Sequence, residues 1–426
     1  MASTSLEDSG STQSQCLYDI LPTPYGGRGA FARSAIPKGT HVLLCTAPYA
    51  TVLFWKFRRE VCAWCFAYSF ESGKSKWSVK LALDSKGSGG IWFCSERCRD
   101  LCIHEYELAP GNGMDWWLEI NAGFEKLVLQ SGRISTQSTP PMDPSPAVLA
   151  YLEHAKPEDI TQEFVDKAWA LAEKVALAES NLPWKDALNE LEIDSAKYVL
   201  DGLIRKSIEE TNPMAPMLIR RDDGSSTHCL SGGQWRDYLD LQDNELPLVK
   251  SKPYMLASRI RIYRFLRHLS TSLFGSKKQG RSNNGFTASR SVGPIGENLR
   301  KSLSTPVATR ALMARDYGNV FGIWDMTAED EGSEMLGWAA YIHASYFNHH
   351  CTPNLKKIRD KRGIRFYTFR DVHPGEELCI SYINFDSVEQ RINQLENDWF
   401  FTCQCGQCEK DLSANRDKLR AENPEG

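Results

Sequence analysis

The cysteines are the residues of this chain whose spacing most clearly points to chemistry. Seven of the thirteen fall into the groups Cys62-x2-Cys65, Cys94-x3-Cys98 and Cys403-x-Cys405-x2-Cys408. The first two pairs supply four soft thiolates, the ligand set that a tetrahedral structural zinc prefers. An odd total argues against complete disulfide pairing, and the last group is too tightly spaced for ordinary core packing. The cysteines therefore predict metal binding.

Three other motifs carry chemistry at a distance from one another. Residues 348–354 read Asn-His-His-Cys-Thr-Pro-Asn, and residues 375–382 read Gly-Glu-Glu-Leu-Cys-Ile-Ser-Tyr. Near the N-terminus, residues 27–29 read Gly-Arg-Gly, a turn in which a glycine allows the backbone to approach a ligand closely. In this order, and followed by the cysteines after Phe401, the motifs resemble the SET-domain lysine methyltransferases.

The resemblance implies an α+β SET fold of short strands with a knot-like C-terminal motif and a site for S-adenosyl-L-methionine. In the family, the Asn-His pair holds this cofactor and aromatic residues near the last cysteines can sandwich its adenine. Asn319 is a weaker candidate, because its motif is short. The cofactor-binding residues that the resemblance implies are Arg28, Gly29, Asn348, His349, Tyr382, Trp399 and Phe401.

The catalytic residue implied by the resemblance is Tyr382, which would orient the lysine amine in a narrow channel. An attacking amine must be neutral, whereas free lysine has a pKa of about 10.4. A dry channel beside a positive sulfonium lowers that pKa and aligns the reacting atoms. The alternative for Tyr382 is a half-buried strand residue with a satisfied hydroxyl. Glu376 and Glu377 are interpreted as anchors of their turn.

The cysteine pairs between residues 62 and 98 resemble a MYND zinc finger inserted into the SET domain, as in the SET and MYND (SMYD) subfamily. Residues 66–93 contain no cysteine or histidine, so this finger is expected to hold one zinc instead of two. The resemblance also adds Cys351 to the last cysteine group. The two predicted structural zinc sites are Cys62, Cys65, Cys94 and Cys98, and Cys351, Cys403, Cys405 and Cys408. Five cysteines remain as structural or free thiols: Cys16, Cys45, Cys102, Cys229 and Cys379.

Composition is typical of a globular enzyme. The chain is 42% hydrophobic and 24% charged, and it contains no stretch of about 20 apolar residues, so no membrane span is expected. The net charge of −4 gives no general attraction to nucleic acid, and no direct nucleic acid binding is expected. The N-terminus lacks an apolar signal segment, which predicts a nuclear or cytoplasmic protein that is not secreted.

The elements that must position these motifs are short strands from both ends of the chain and helices between them. Strands are expected at 41–45, 48–54, 364–369 and 378–382, and helices at 164–171 and around 196–208. A helix near Pro253 to Phe274 carries Arg259, Arg261, Arg264 and Arg267, which would form a cationic strip or, more simply, a solvated face.

The predicted organisation runs in seven parts along the chain. They are a disordered tail (1–16), the N-terminal SET part (17–56), the reduced MYND-like finger (57–108), a helical insert (109–305) with a flexible loop (275–305), the SET catalytic core (306–395), the post-SET zinc motif (396–410) and a charged tail (411–426). With only 18 residues after Cys408, the chain is expected to resemble the shorter fungal and plant relatives that lack a C-terminal helical domain.

The sequence thus predicts a protein-lysine N-methyltransferase whose partner is a protein substrate, either a histone tail in chromatin or a non-histone protein. The competing hypothesis is a catalytically weak SET and MYND scaffold that recruits protein partners. The target lysine, the number of methyl groups added and the oligomeric state are not predicted.

Overall fold

The computed structural model describes residues 17–83, 89–107, 113–135, 157–179, 182–212, 232–275, 292–325 and 333–422. The predicted disordered tail, Cys16 and Cys229 lie outside these residues. The described chain consists of short antiparallel strands and a group of helices, which confirms the mixed α+β class.

Eleven strands of the described chain form small sheets. They are β1 (Tyr18–Pro22), β2 (Arg28–Ala32), β3 (His41–Cys45), β4 (Ala50–Leu53), β5 (Val79–Leu81), β6 (Ile91–Phe93), β7 (Val320–Trp324), β8 (Met335–Ala340), β9 (Leu355–Asp360), β10 (Gly363–Thr368) and β11 (Glu377–Leu378). The strand orders are β1-β2-β11, β3-β10-β9, β4-β8-β7 and β5-β6. In each three-stranded sheet, strands from the first 53 residues pair with strands that follow residue 319, as the sequence predicted.

Two C-terminal segments run side by side and form the centre of the fold. His349 makes a parallel bridge to Ile380, and the backbone N–H of Ile380 donates to the Asn348 carbonyl at 3.0 Å. The Asn354 side chain fastens the same crossing, because it donates to the Glu377 carbonyl and accepts from the Cys379 N–H. This crossing brings the 348–354 motif and the 375–382 motif together. It also explains why the strand expected at 378–382 ends at Leu378.

Of the α-helices in the described chain, nine lie between β6 and β7 and two follow β11. They are α1 (Glu96–Glu107), α2 (Gly113–Ser135), α3 (Gln162–Ala178), α4 (Glu190–Thr211), α5 (Trp235–Leu239), α6 (Glu245–Ser251), α7 (Tyr254–Phe274), α8 (Gly293–Ser304), α9 (Pro306–Ala314), α10 (Val388–Trp399) and α11 (Gly406–Glu422).

Helix α4 is the central helix of the insert. A capping box of Asn189 and Glu192 starts it, which satisfies two backbone donors that the first turn leaves free. The face predicted from Ala196 to Ile208 is buried and packs on β4 and on neighbouring helices. The insert therefore shares one hydrophobic core with the β4-β8-β7 sheet.

The helix expected near 253–274 is confirmed as α7, but neither interpretation of its arginines is right. Arg259 is 2% exposed and its Nη2 lies 2.7 Å from the Asp316 carboxylate. Arg264 is 7% exposed and its Nη2 lies 2.6 Å from the Glu179 carboxylate. Partners distant in sequence allow these cations to be buried, so they form neither a cationic strip nor a solvated face.

Two further predictions need correction. The flexible loop expected at 275–305 is wrong for its last part, because 293–304 form α8, whose Ile295, Leu299 and Leu303 are buried in the insert. The beginning of that loop, 276–291, lies outside the described residues. The charged segment after residue 410 continues α11 as far as Glu422.

The finger consists of the β5-β6 hairpin, the loop around Cys62 and helix α1. Trp77, Trp92 and Phe93 form its small core together with Cys62, Cys65 and Cys102. Arg362, in the turn between β9 and β10, stacks over Trp64 at 3.8 Å from the ring centroid and pairs with Glu105 at 2.7 Å, which joins the finger to this hairpin. None of the described helices combines the length and apolar character needed to cross a bilayer.

Candidate functional site

An open cleft of about 470 Å³ lies where the N-terminal turn, the insert and the C-terminal crossing meet. Six of the predicted non-metal site residues line it: Arg28, Asn348, His349, Tyr382, Trp399 and Phe401. Residues that the motifs did not indicate also line it, among them Tyr25, Gln242, Asn244, Ser345, Tyr346 and Phe400. The cleft is thus formed by chain segments more than 300 residues apart.

Asn348 is held in one orientation by two acceptors. Its Nδ2 donates to Glu377 Oε1 at 2.7 Å and to the Arg28 carbonyl at 3.0 Å. Since neither the carboxylate nor the carbonyl can donate, the amide nitrogen must face them. The Asn348 Oδ1 is left to accept a hydrogen bond from a ligand in the cleft.

Gly29 does not line the cleft but lies beside it on β2. A Cβ at this position would lie 2.2 Å from Glu377 Oε1 and 2.8 Å from Asn348 Nδ2. The turn glycines with positive φ are Gly26 and Gly27 instead. The missing side chain of Gly29 therefore makes room for the Glu377 carboxylate, which differs from the ligand approach expected from the sequence.

Two more asparagines present acceptor oxygens in the same manner. Asn244 is 5% exposed, its Nδ2 donates to the Tyr317 carbonyl at 2.8 Å, and its Oδ1 has no hydrogen-bond partner among the described residues. Asn319 donates through Nδ2 to the Gln242 carbonyl at 3.0 Å. Asn244 belongs to the insert, where the sequence analysis named no site residue and no local motif marks it.

Arg28 joins the cleft to the insert. Its Nη1 lies 2.7 Å from Asp240 Oδ2, its Nη2 donates to the Asp240 carbonyl, and its guanidinium lies 5.2 Å from the centroid of the Tyr346 ring. The Tyr346 hydroxyl also donates to Asp240, at 3.0 Å. The cation at the cleft is thereby fixed by the segment between α5 and α6.

Tyr382 and His349 form the inner wall of the cleft. The Tyr382 hydroxyl donates to the Phe347 carbonyl at 3.0 Å, and burial raises its pKa well above the usual range, so it stays protonated. The oxygen of this hydroxyl keeps its lone pairs as acceptors. Burial also lowers the pKa of His349 to about 4, so its ring is neutral. His349 Nδ1 accepts the Tyr382 N–H at 3.1 Å, which places its proton on Nε2, 3.3 Å from Cys351 Sγ.

The aromatic wall of the cleft lies at the end of α10. The Trp399 ring is 5.4 Å from the Tyr382 ring, and Phe401 is 6.3 Å from His349. Between them, Phe400 has φ +62°, a left-handed conformation usually taken by glycine at the end of a helix. This conformation reverses the chain and lets three successive aromatic residues face the cleft.

The cysteines gather into two groups of four, as predicted. The ligand atoms of Cys62, Cys65, Cys94 and Cys98, and those of Cys351, Cys403, Cys405 and Cys408, lie within 4.8 Å of one another in each group. Sulfur–sulfur distances such as 3.5 Å for Cys65–Cys94 and 3.9 Å for Cys351–Cys403 are close to the ~3.8 Å edge of a tetrahedron with Zn–S bonds of ~2.3 Å. Both groups could hold zinc.

The remaining described cysteines lie elsewhere. Cys45 is buried on β3 and Cys379 is buried directly after β11, and Cys102 is buried in the finger while the nearby His104 is exposed. The second cysteine group sits directly behind the cleft, because Cys351 follows the Asn-His pair and Cys403 follows Phe401. A metal held by this group would join the aromatic wall to the crossing.

The chemical character of the cleft follows from these contacts. It combines acceptor oxygens of three asparagines, one guanidinium and an aromatic wall, a combination suited to a ligand with a flat ring at one end and both charges of an amino acid at the other. The Tyr382 hydroxyl adds an acceptor at the inner end.

Comparison with known proteins gives an independent result. A family model described as SET domain matches residues 27–383. The potential protein lysine methyltransferase SET6 of Saccharomyces cerevisiae is 25% identical over 422 residues, which cover 93% of this chain and 96% of that protein. A SET and MYND domain-containing protein of Dictyostelium discoideum is 28% identical over 131 residues, 30% of this chain and 33% of the relative. N-lysine methyltransferase SMYD2 of Bos taurus is 33% identical over 97 residues, 22% of each chain. The last two matches thus span a third or less of those relatives.

Proposed function

This chain belongs to the SET-domain family, and from that premise we propose that it is a protein-lysine N-methyltransferase that uses S-adenosyl-L-methionine. The observation that carries the proposal is the meeting of Arg28, Asn348, Tyr382 and Trp399 in one cleft. Names given to relatives point the same way, since SET6 is described as a potential protein lysine methyltransferase and SMYD2 as an N-lysine methyltransferase.

The cleft suits S-adenosyl-L-methionine at both of its ends. The Asn348 Oδ1, freed by the two acceptors that hold its nitrogen, would accept from the ammonium group. Arg28 keeps donors beyond those engaged by Asp240 and would bind the carboxylate. Trp399 and Phe401 would stack on the adenine, while Asn244 and Asn319 supply further acceptors.

Tyr382 is the residue that would act on the substrate. When bound, S-adenosyl-L-methionine supplies a sulfonium methyl group that an amine can attack directly. Because the single hydroxyl proton of Tyr382 is donated to the Phe347 carbonyl, its oxygen can accept an N–H of the lysine amine and orient the nitrogen lone pair. A lysine amine inserted beside this partly buried side chain would lose part of its contact with water, which favours the neutral form.

The two cysteine groups would each bind one structural zinc. Four thiolates at these separations form a complete tetrahedral set, which leaves no open position for catalysis at the metal. The group containing Cys351 would hold the aromatic wall in place, and the group containing Cys62 would hold the finger together.

The substrate is a lysine of a protein, either in a histone tail or in a non-histone protein. Thiolate ligands require a reducing compartment, which supports a nuclear or cytoplasmic location. We propose that the finger is MYND-like, as its cysteine spacing predicts, and one partly matching relative from Dictyostelium is named for a SET and a MYND domain.

The experiment that tests this function incubates the purified protein with methyl-labelled S-adenosyl-L-methionine and cell extract, followed by mass spectrometry of labelled proteins. We expect label on lysine side chains of one or a few proteins. Tight cofactor binding without label on any protein would instead favour a scaffold that recruits partners.

A further inference from the structure

Glu377 lies directly behind the cleft and accepts hydrogen bonds from two of the side chains that line it. The Tyr25 hydroxyl is 2.6 Å from both carboxylate oxygens, and Asn348 Nδ2 is 2.7 Å from Oε1. No lysine, arginine or histidine side chain within the described residues forms an ion pair with this half-buried carboxylate. A carboxylate removed from water without a cation is costly unless a ligand supplies the cation.

The adjacent glutamate shows what a purely structural carboxylate looks like in this turn. Glu376 pairs with Arg370 at 2.5 Å, accepts from the Asn354 amide at 3.2 Å and accepts from the His373 N–H at 2.9 Å. All of its partners belong to the turn and the crossing. The sequence predicted that both glutamates anchor the turn, but the Glu377 carboxylate contacts side chains that line the cleft.

Residue 29 must also lack a side chain for the Glu377 carboxylate to reach this position. Because a Cβ on Gly29 would lie 2.2 Å from Oε1, the carboxylate can approach Asn348 only if residue 29 is glycine. The Asn348 amide then has the carboxylate at its nitrogen and the cleft at its oxygen. A negative charge at the nitrogen polarises the amide and makes Oδ1 a stronger acceptor for a cation.

We propose that Glu377 is a positioning residue that provides, through Asn348, the counter-charge for the ammonium group at the amino-acid end of the cofactor. This inference rests on the proposed use of S-adenosyl-L-methionine. Arg28, the arginine that lines the cleft, is paired with Asp240 instead of Glu377. The ligand class selected is a nucleoside that carries an ammonium group.

The test compares two ligands that share the adenosine moiety and differ in whether they carry the ammonium and carboxylate groups. S-Adenosylhomocysteine carries the ammonium group, whereas 5′-methylthioadenosine carries neither amino nor carboxyl group. Glu377→Gln keeps the size and an acceptor for Asn348 but removes the charge. By calorimetry, we expect about a tenfold loss of affinity for S-adenosylhomocysteine, the size of a partly screened charge interaction, and a change of less than about twofold for 5′-methylthioadenosine.

Two further variants control the result. Glu376→Gln makes the same change of charge one residue away and should leave the ratio of the two affinities as in the wild type. Glu377→Asp retains the negative charge and should keep the preference for S-adenosylhomocysteine. It therefore still tests the role of the charge if the glutamine variant unfolds. A thermal unfolding measurement on each variant would check that it is folded.

The outcomes separate this inference from the proposed function. An equal loss for both ligands in Glu377→Gln, or a loss of the ratio in Glu377→Asp, would overturn the role of Glu377 while wild-type binding still supports the function. A wild-type protein that binds neither S-adenosylhomocysteine nor S-adenosylmethionine would overturn the proposed function, and this inference with it.

Discussion

Gly29→Ala tests the packing that supports the cleft. The new methyl group would lie 2.2 Å from Glu377 Oε1, 2.8 Å from Asn348 Nδ2 and 3.0 Å from Glu377 Cδ, all shorter than van der Waals contact. Gly29 pairs with Leu21 within the β1-β2 ladder, so the backbone cannot move away without breaking strand hydrogen bonds. The Glu377 side chain must therefore turn out of its site.

The magnitude follows from the contacts that Glu377 loses. It leaves Tyr25 and Asn348, and hydrogen bonds to charged groups are worth about 1.5–3 kcal/mol each. Tyr25 is 56% exposed, so a hydrogen bond to water replaces most of the free energy lost with the Tyr25–Glu377 hydrogen bond. We expect a loss of about 2 kcal/mol in the free energy of unfolding, and about a tenfold loss in S-adenosylmethionine affinity because Asn348 is no longer held.

The assay combines denaturant unfolding with calorimetry of cofactor binding. Gly406→Ala is the matched control, because its methyl group would meet no atom within 4 Å and its φ is not positive, so both quantities should stay near wild type. If the effect runs through Glu377, adding Gly29→Ala to Glu377→Ala should cost little more. Full additivity of the two changes, or unchanged affinity in Gly29→Ala, would refute the reasoning.

Three other predictions address the cofactor, the metals and pH. Asn348→Ala should weaken S-adenosylmethionine binding by about 2 kcal/mol, measured by calorimetry, and unchanged affinity would mean that its amide is only structural. Elemental analysis should find two zincs per chain, and a count of three or none would contradict the assignment of the two cysteine groups. Cys403→Ser should release one zinc and weaken cofactor binding, whereas Cys62→Ser should release the other zinc with less effect on cofactor affinity. Burial raises the pKa of Asp194 to about 7, so its contribution to stability is present at low pH and is lost as the pH rises from about 4 through 7. In urea unfolding, the stability of Asp194→Asn relative to the wild type should therefore increase by up to ~4 kcal/mol over that pH range. A difference in stability that stays constant with pH would contradict this prediction.

The sequence predicted those parts of the structure that are formed by residues close together in the chain. The spacing of Cys62, Cys65, Cys94 and Cys98 was enough to define one group, since ligands close in sequence and joined by a closing loop leave few alternatives. The joining of Cys351 to the last cysteines came only from the family resemblance. Helix α4 was also predictable, because its buried face repeats with the helical period.

Contacts between distant segments explain most of what was missed. From the insert, Asn244 lines the cleft and Asp240 pairs with Arg28, and no short motif marks either of them. The arginines of α7 looked solvated because Asp316, the partner of Arg259, follows it by 57 residues. A pattern within one helix cannot reveal such a partner.

Helix α8 is a different case, because its signal was present. Gly293 and Pro294 at its start, followed by Ile295, Leu299 and Leu303 at intervals of four, fit a helix N-terminus and one apolar face. The Ser-rich and Lys-rich residues before it dominated the interpretation of the whole segment. The boundary between the two compositions would have located the helix.

The most direct test of the central claim measures methyl transfer and cofactor affinity together in Tyr382→Phe. Without the hydroxyl, the lysine amine loses one hydrogen bond in the transition state, so transfer should slow by roughly ten- to a hundredfold or stop at a different number of methyl groups, while S-adenosylmethionine affinity stays nearly unchanged. Tyr367→Phe, on the outer part of β10, is the control and should behave as wild type. Transfer by Tyr382→Phe at the wild-type rate with the same products would contradict the account.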